Sequence, residues 1–233
     1  MRHQIIGDNL QMVKIDLVPG EGIFAEAGSM VNMSGNMGME SCLKGGIISG
    51  LKRAVSGESV FLTRFSAVET AGFVSFGGTV PGKIFPVAVT GGKEFIAQKN
   101  SFLCCEESVE LDIAFTEKIQ AGLFGGEGFI LQRLQGYGTA FLNCCGDIIE
   151  LTLGPGEVVK VQSGLVVGFE STVSFDVELA GGITTAIFGG EGLFLATLTG
   201  PGKIVLQSMD ISRIAAALIP YLPKPTQVTV KPL

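Results

Sequence analysis

One histidine, five cysteines and a glutamate that recurs beside glycine are the residues of this 233-residue chain on which chemistry could be built. His3 stands alone near a terminus, where chain ends are commonly disordered, so no Ser-His, Cys-His or multi-His constellation can form within one chain. The cysteines are Cys42 and two vicinal pairs, Cys104–Cys105 and Cys144–Cys145. Structural zinc sites space their thiolates as C-x₂₋₄-C so that a turn aims both at one ion, whereas neighbours on a strand point to opposite faces. Adjacent cysteines also bridge to each other only under strain. Reduced, buried thiols and no metal are therefore expected. Glu58, Glu127 and Glu191 sit at matching places and could meet as a carboxylate ring. A glutamate beside a turn glycine is more often solvated or holds backbone N–H groups. The runs Phe124 to Gly128 and Phe188 to Gly192 look like phosphate loops, yet each precedes a strand-like segment and lacks the P-loop lysine, which makes them turns. No catalytic residue, metal ligand or cofactor site emerges, and the chain does not read as an enzyme.

Apolar residues make up 46% of the chain and charged residues 16%, against a usual charged share of about 25%. More surface than normal must lie against protein, in a repeat core or an oligomer. The 34 glycines are scattered between short apolar runs, which signals many tight turns. A net charge of −6 argues against a broad phosphate-binding surface. The longest charge-free stretches, such as Ala27 to Met39, are thirteen residues, short of the ~20 apolar residues a membrane-spanning helix needs. The start, Met1-Arg2-His3-Gln4, carries no apolar signal segment, which places the protein in the cytoplasm by expectation.

Elements able to position side chains appear in repeating order. Ile15 to Ala25, Val87 to Ala97 and Leu151 to Val161 match at offsets of 72 and 64 residues. Gly57-Glu58-Ser59 recurs as Gly126-Glu127-Gly128 and Gly190-Glu191-Gly192. Val109, Leu111, Ile113 and Phe115 alternate as half-buried strand residues do, matched by Val173, Phe175, Val177 and Leu179. Gly136, Gly138 and Leu142 match Gly200, Gly202 and Leu206. Each unit reads as a strand, a Pro-Gly or Gly-Gly turn, a second strand, an alternating strand, an irregular segment and a glycine-punctuated hairpin. The expected fold class is all-β: three tandem repeats over residues 1–77, 78–146 and 147–210, related by pseudo-three-fold symmetry and sharing a core. A short C-terminal helix over 211–222 follows, with Asp210 as its cap and Pro220 and Pro223 as its stop. Ile211, Ile214 and Leu218 lie on one side of it and are expected to pack on the sheet, with docking on a partner or membrane as the alternative. Residues 223–233 read as an extended tail.

The first unit carries a more specific string: Gly45-Gly46, Gly50-Leu51-Lys52-Arg53, Gly57-Glu58-Ser59, Phe61 and Phe65. It resembles the signature of the "altered inheritance of mitochondria" family of bacterial, archaeal and fungal proteins, over roughly residues 1 to 222. The resemblance implies a triplicated double-stranded β unit similar to the subunit of the tryptophan RNA-binding attenuation protein (a TRAP-like fold). It carries over no catalytic residues. The bacterial members are largely uncharacterised, and the fungal relative is associated with mitochondrial inner-membrane organisation.

Met39 to Ser56 is the most unusual stretch, with Leu43, Ile47, Ile48, Leu51 and Val55 at near-helical spacing beside Lys44, Lys52 and Arg53. It takes the place of the clean alternating strand of the other two units. Gly45, Gly46 and Gly50 disfavour a free helix, each costing about 1 kcal/mol relative to Ala. A loop packed over its own sheet or a neighbouring subunit is one reading; a protein, lipid-headgroup or nucleic-acid contact through Lys44, Leu51, Lys52, Arg53 and Glu58 is the other. The function expected from sequence is a non-enzymatic scaffold or interaction protein, without cofactor, forming a cyclic homo-oligomer with a trimer as the best single guess. A further protein partner is unidentified, and peripheral membrane contact is allowed. The alternatives are a nucleic-acid-binding ring, by fold analogy and against the net charge, and a small-ligand-binding β cup.

Overall fold

Short runs of β-branched and aromatic residues, broken by glycine every few positions, give strands rather than helices. The computed structural model describes residues 1–43, 61–117, 129–179 and 194–222. Between residues 1 and 77 run β1 (Arg2–Ile6), β2 (Met12–Leu17), β3 (Gly22–Glu26), β4 (Met30–Met33), β5 (Met37–Leu43), β6 (Phe61–Ala67) and β7 (Gly72–Gly77). Next come β8 (Gly82–Val89), β9 (Phe95–Gln98), β10 (Phe102–Glu106), β11 (Val109–Glu117), β12 (Phe129–Gly136) and β13 (Gly138–Cys145). The last group is β14 (Ile148–Leu153), β15 (Val158–Gln162), β16 (Val166–Glu170), β17 (Ser174–Leu179), β18 (Phe194–Thr199) and β19 (Gly202–Gln207). One helix, α1 (Ile211–Leu218), follows. The protein is thus mostly β, with a single short C-terminal helix among the described residues.

The strands form four antiparallel sheets. The first has the order β1-β2-β7-β4, the second β5-β6-β3-β10-β13-β8, the third β11-β12-β9-β16-β19-β14 and the fourth β15-β18-β17. Each large sheet is joined through its middle by one ladder: β3 to β10 in the second, with Cys104 opposite Ala25, and β9 to β16 in the third, with Gly168 opposite Ala97. Three ladders carry the same irregularity. The register slips between Met30 and Asn32 on β4, between Phe102 and Cys104 on β10, and between Val166 and Gly168 on β16.

Three cores separate the four sheets. Val13, Ile15, Leu17, Val74 and Phe76 of the first sheet meet Ile23, Ala25, Phe65, Leu103 and Phe141 of the second. The opposite face of the second sheet, through Val87, Phe102, Cys105 and Leu142, meets Phe95, Val109, Leu134 and Val205 of the third. The other face of the third, through Ile96, Phe129, Phe169 and Ile204, meets Val173, Ala196 and Leu198 beside the fourth. A large sheet covered on both faces loses the strict apolar-polar alternation, which is why Phe102-Leu103-Cys104-Cys105 on β10 is buried throughout. Each fully buried Phe, such as Phe76, Phe129 and Phe141, contributes on the order of 1.5–3 kcal/mol through removal of its surface from water.

The turns expected from sequence form as read. Gly20, Gly92 and Gly156 all have positive φ, of 91°, 83° and 74°. Each allows the next residue's N–H to close a turn: Glu21 to Val18 O at 3.0 Å, Lys93 to Thr90 O at 2.8 Å and Glu157 to Gly154 O at 3.1 Å. A side chain at this backbone conformation would be strained, so glycine is the residue that fits.

Several expectations need correction. The short strands β4, β10 and β16 stand where no strand was expected, because runs of four or five residues carry too little periodicity to be read. Met39 to Leu43 do not break the strand pattern. They belong to β5 and pair with Phe61 to Phe65 of β6. His3 is ordered in β1, its ring edge-on to Phe141 at 4.9 Å. The helix starts as expected, with the Asp210 carboxylate accepting from Arg213 N at 2.9 Å. It does not pack on a sheet, however. None of its residues is buried, and Ile211 and Leu218 are each more than half exposed.

Candidate functional site

The interaction residues picked from sequence, Lys44, Leu51, Lys52, Arg53 and Glu58, lie outside the described residues. So do Glu127 and Glu191, the two glycine-rich runs and the tail 223–233. The candidate site therefore has to be built from what surrounds them.

Cys104, Cys105, Cys144 and Cys145 are buried thiols outside any disulfide. Burial pushes the Cys104 thiol well above its usual range, and the neighbouring Cys105 adds to this. Burial likewise pushes Cys144 up to about 12, helped by Cys145. Cys145 is raised by burial and then by the nearby Asp210 carboxylate. A thiol held neutral is neither a nucleophile nor a ready metal ligand. Among the described residues no three His, Cys, Asp or Glu side chains converge as a metal site, and no helix is long and apolar enough to cross a membrane.

A shallow cleft of about 230 Å³ is lined by Met1, Gly20, Glu21, Gly22, Glu106, Glu107 and Ser108. Its carboxylates are already employed. Glu107 pairs with the Arg64 guanidinium, Glu106 Oε1 accepts from Thr139 N at 3.0 Å, and Glu21 Oε2 accepts from Val18 N at 3.0 Å. Each of the cleft's three glutamates is thus held by a backbone N–H or an ion pair.

The family-model comparison matches the mitochondrial biogenesis AIM24 model over residues 3–209. The chain belongs to this AIM24 family. An uncharacterised protein of Streptococcus pyogenes serotype M6 is 29% identical over 220 residues, covering 91% of this chain and 87% of the relative. The X-ray crystal structure of a Streptococcus pyogenes protein solved by a structural genomics consortium superposes with a TM-score of 0.78 at 27% identity. It covers 95% of this chain and 99% of that one. Neither relative brings an assigned function to this AIM24 family chain.

What remains as a candidate is a pair of strand edges. Among the described residues β4 pairs only with β7, and β15 only with β18. Their outward edges end the first and fourth sheets. Met30, Val31 and Val158 on these strands are 36%, 56% and 54% exposed, whereas Phe102, Leu103, Val166 and Val167 on β10 and β16 are all under 5%. Sequence reasoning had no access to these edges, since β4 itself escaped it. The signal it could have used is the alignment of Met30 to Met33 with Phe102 to Cys105 at the offset of 72 already found between neighbouring segments.

Proposed function

We propose that the protein is a non-enzymatic scaffold made of three tandem β units that assembles in the cytoplasm as a closed homo-oligomer, a trimer being the expected state. The observation that carries this reading is the contrast between used and unused edges. Strand β3 is taken by β10 and β9 by β16, so each group of strands hands its edge to the next. Strands β15 and β4 are left without such a partner among the described residues. The tandem arrangement is supported by the register slips at Met30/Asn32, Phe102/Cys104 and Val166/Gly168, spaced 72 and 64 residues apart like the sequence repeats. It is supported too by the parallel bridges that join Leu10 to Gly82 and Gly82 to Gly146 at those same offsets. An exposed strand edge is a template for pairing that proteins cover or blunt, and a head-to-tail contact closes into a ring when the rotation allows. Light scattering coupled to size exclusion tests the reading. A mass near three times 24.3 kDa, constant on dilution, supports it, and a mass of one chain rejects it.

A further inference from the structure

We propose that β4 of one copy pairs antiparallel with β15 of a second copy, placing Asn32 opposite Val161, Met33 opposite Lys160 and Ser34 opposite Val159. The proposal rests on the oligomer reading and specifies its joint. The register is carried from the two ladders the chain already makes. In the second sheet Cys104, Cys105 and Glu106 face Ala25, Phe24 and Ile23. In the third, Gly168, Phe169 and Glu170 face Ala97, Ile96 and Phe95. Moving β10 back by the repeat offset of 72 residues and β9 forward by the repeat offset of 64 gives the β4–β15 register with no free choice. The strands are of comparable length, four and five residues, against five and five for β10 and β3.

The partner is a second copy rather than the same chain. The three cores lie between successive sheets, and among the described residues no core joins the first sheet to the fourth. The two edges therefore stand at opposite ends of the layered array. The edge positions are also less apolar than their buried counterparts. Lys160 stands where Phe24 and Ile96 stand in the other joints, paired with Glu178, and Asn32 stands where Cys104 and Gly168 do. Side chains of this kind suit a joint that must remain soluble before it assembles, and main-chain hydrogen bonds supply the adhesion in such strand additions.

The test is the double variant Met33→Cys with Lys160→Cys. Residues directly opposite in an antiparallel pair have Cβ atoms about 4.5–5.5 Å apart, close enough for a disulfide after slight adjustment. Equal amounts of isotopically labelled and unlabelled protein are mixed, dissociated and reassembled, then oxidised and mapped by peptide mass spectrometry. The expected result is a 33–160 disulfide joining labelled to unlabelled peptides, absent from either single variant and reversed by reductant. A 33–160 disulfide confined to single chains overturns the proposal, because the sheet would then close on itself. No such disulfide in a protein whose mass remains three chains overturns this joint while leaving the oligomer standing. No disulfide together with a single-chain mass removes both.

Discussion

Cys104 and Cys105 are covalent neighbours whose thiols lie in different cores. Cys104 packs with Leu103 and Phe141 between the first and second sheets, and Cys105 with Phe102 and Val109 between the second and third. One strand thus serves two cores at once. Both residues are fully shielded from solvent, Cys144 is as well, and Cys145 is nearly so. In the native protein these four thiols should resist a thiol reagent for as long as the fold holds. Denaturation without reductant should expose all five thiols of the chain. Rapid native labelling of the four, or any thiol missing after denaturation, would contradict this arrangement.

The same burial sets a pH dependence. An unfolded cysteine ionises near 8.5, whereas Cys144 in the fold does so at about 12 and Cys104 is also raised well above its usual value. Below about pH 8.5 both states keep the proton and the stabilisation is fully present. As pH rises further the unfolded chain releases protons that the native chain cannot. Stability then falls by up to about 1.4 kcal/mol per pH unit for each such thiol until the folded value is reached. Urea midpoints should decline between pH 8.5 and 10.5, and more gently in Cys144→Ala. A slope unchanged by that substitution would assign the loss to other groups.

Much of the fold was legible because turn chemistry and alternation are local. Pro19-Gly20, Gly91-Gly92 and Pro155-Gly156 announced their turns, and Val109 to Phe115 announced β11. The strands β4, β10 and β16 were not legible. They are short, and at Phe102-Leu103-Cys104-Cys105 both faces are covered, which erases the period-2 signal. The helix failed for another reason. The one-sided spacing of Ile211, Ile214 and Leu218 states that an apolar face exists and says nothing of what covers it. Candidate edges are properties of sheet order, a long-range relationship, whereas Lys52 and Arg53 were chosen from local composition.

Gly168 sits in the β9–β16 joint, where an added Cβ would lie 2.5 Å from Ile96 O and 2.4 Å from the Phe95 ring. The backbone oxygen cannot move without loosening the ladder. Gly168→Ala should therefore destabilise by about 1–3 kcal/mol, as overpacking does. Gly156→Ala is also strained, through its positive φ, but it meets nothing within 4 Å. Hydrogen exchange separates the two. Gly168→Ala should raise exchange across β9 and β16, and Gly156→Ala only around its turn. Equal, local effects would place the joint's strength elsewhere.

Phe129 stacks on Phe175 at 5.5 Å, and Phe175 on Phe169 at 5.4 Å, forming an aromatic column in the core against the fourth sheet. Phe129 is fully buried, while Phe175 is partly exposed. Phe129→Ala should cost about 3–5 kcal/mol, and Phe175→Ala clearly less. Chemical denaturation of both variants reads the order directly. Equal losses would mean that exposure of Phe175 does not reflect its packing.

The helix α1 should be the least protected regular element of the described chain. Its eight residues fall short of the ~12–15 at which isolated helices become even marginally stable in water. Tertiary contacts are few. The Asp210 carboxylate caps it through Arg213 N, and Arg213 Nη2 donates to Gln162 Oε1 at 2.6 Å. Ile211, Leu218 and Ile219 stay more than half exposed. Amides of residues 214 to 218 should exchange orders of magnitude faster than those of β13, whose strand is paired on both sides by β8 and β10. Asp210→Ala, which removes a cap contributing about 1 kcal/mol, should speed exchange in the helix further and leave β13 unchanged. Strong protection of the helix in the purified protein would instead mean that its apolar side is covered in the assembled state. Repeating the measurement across a dilution series would then show protection falling with the oligomer.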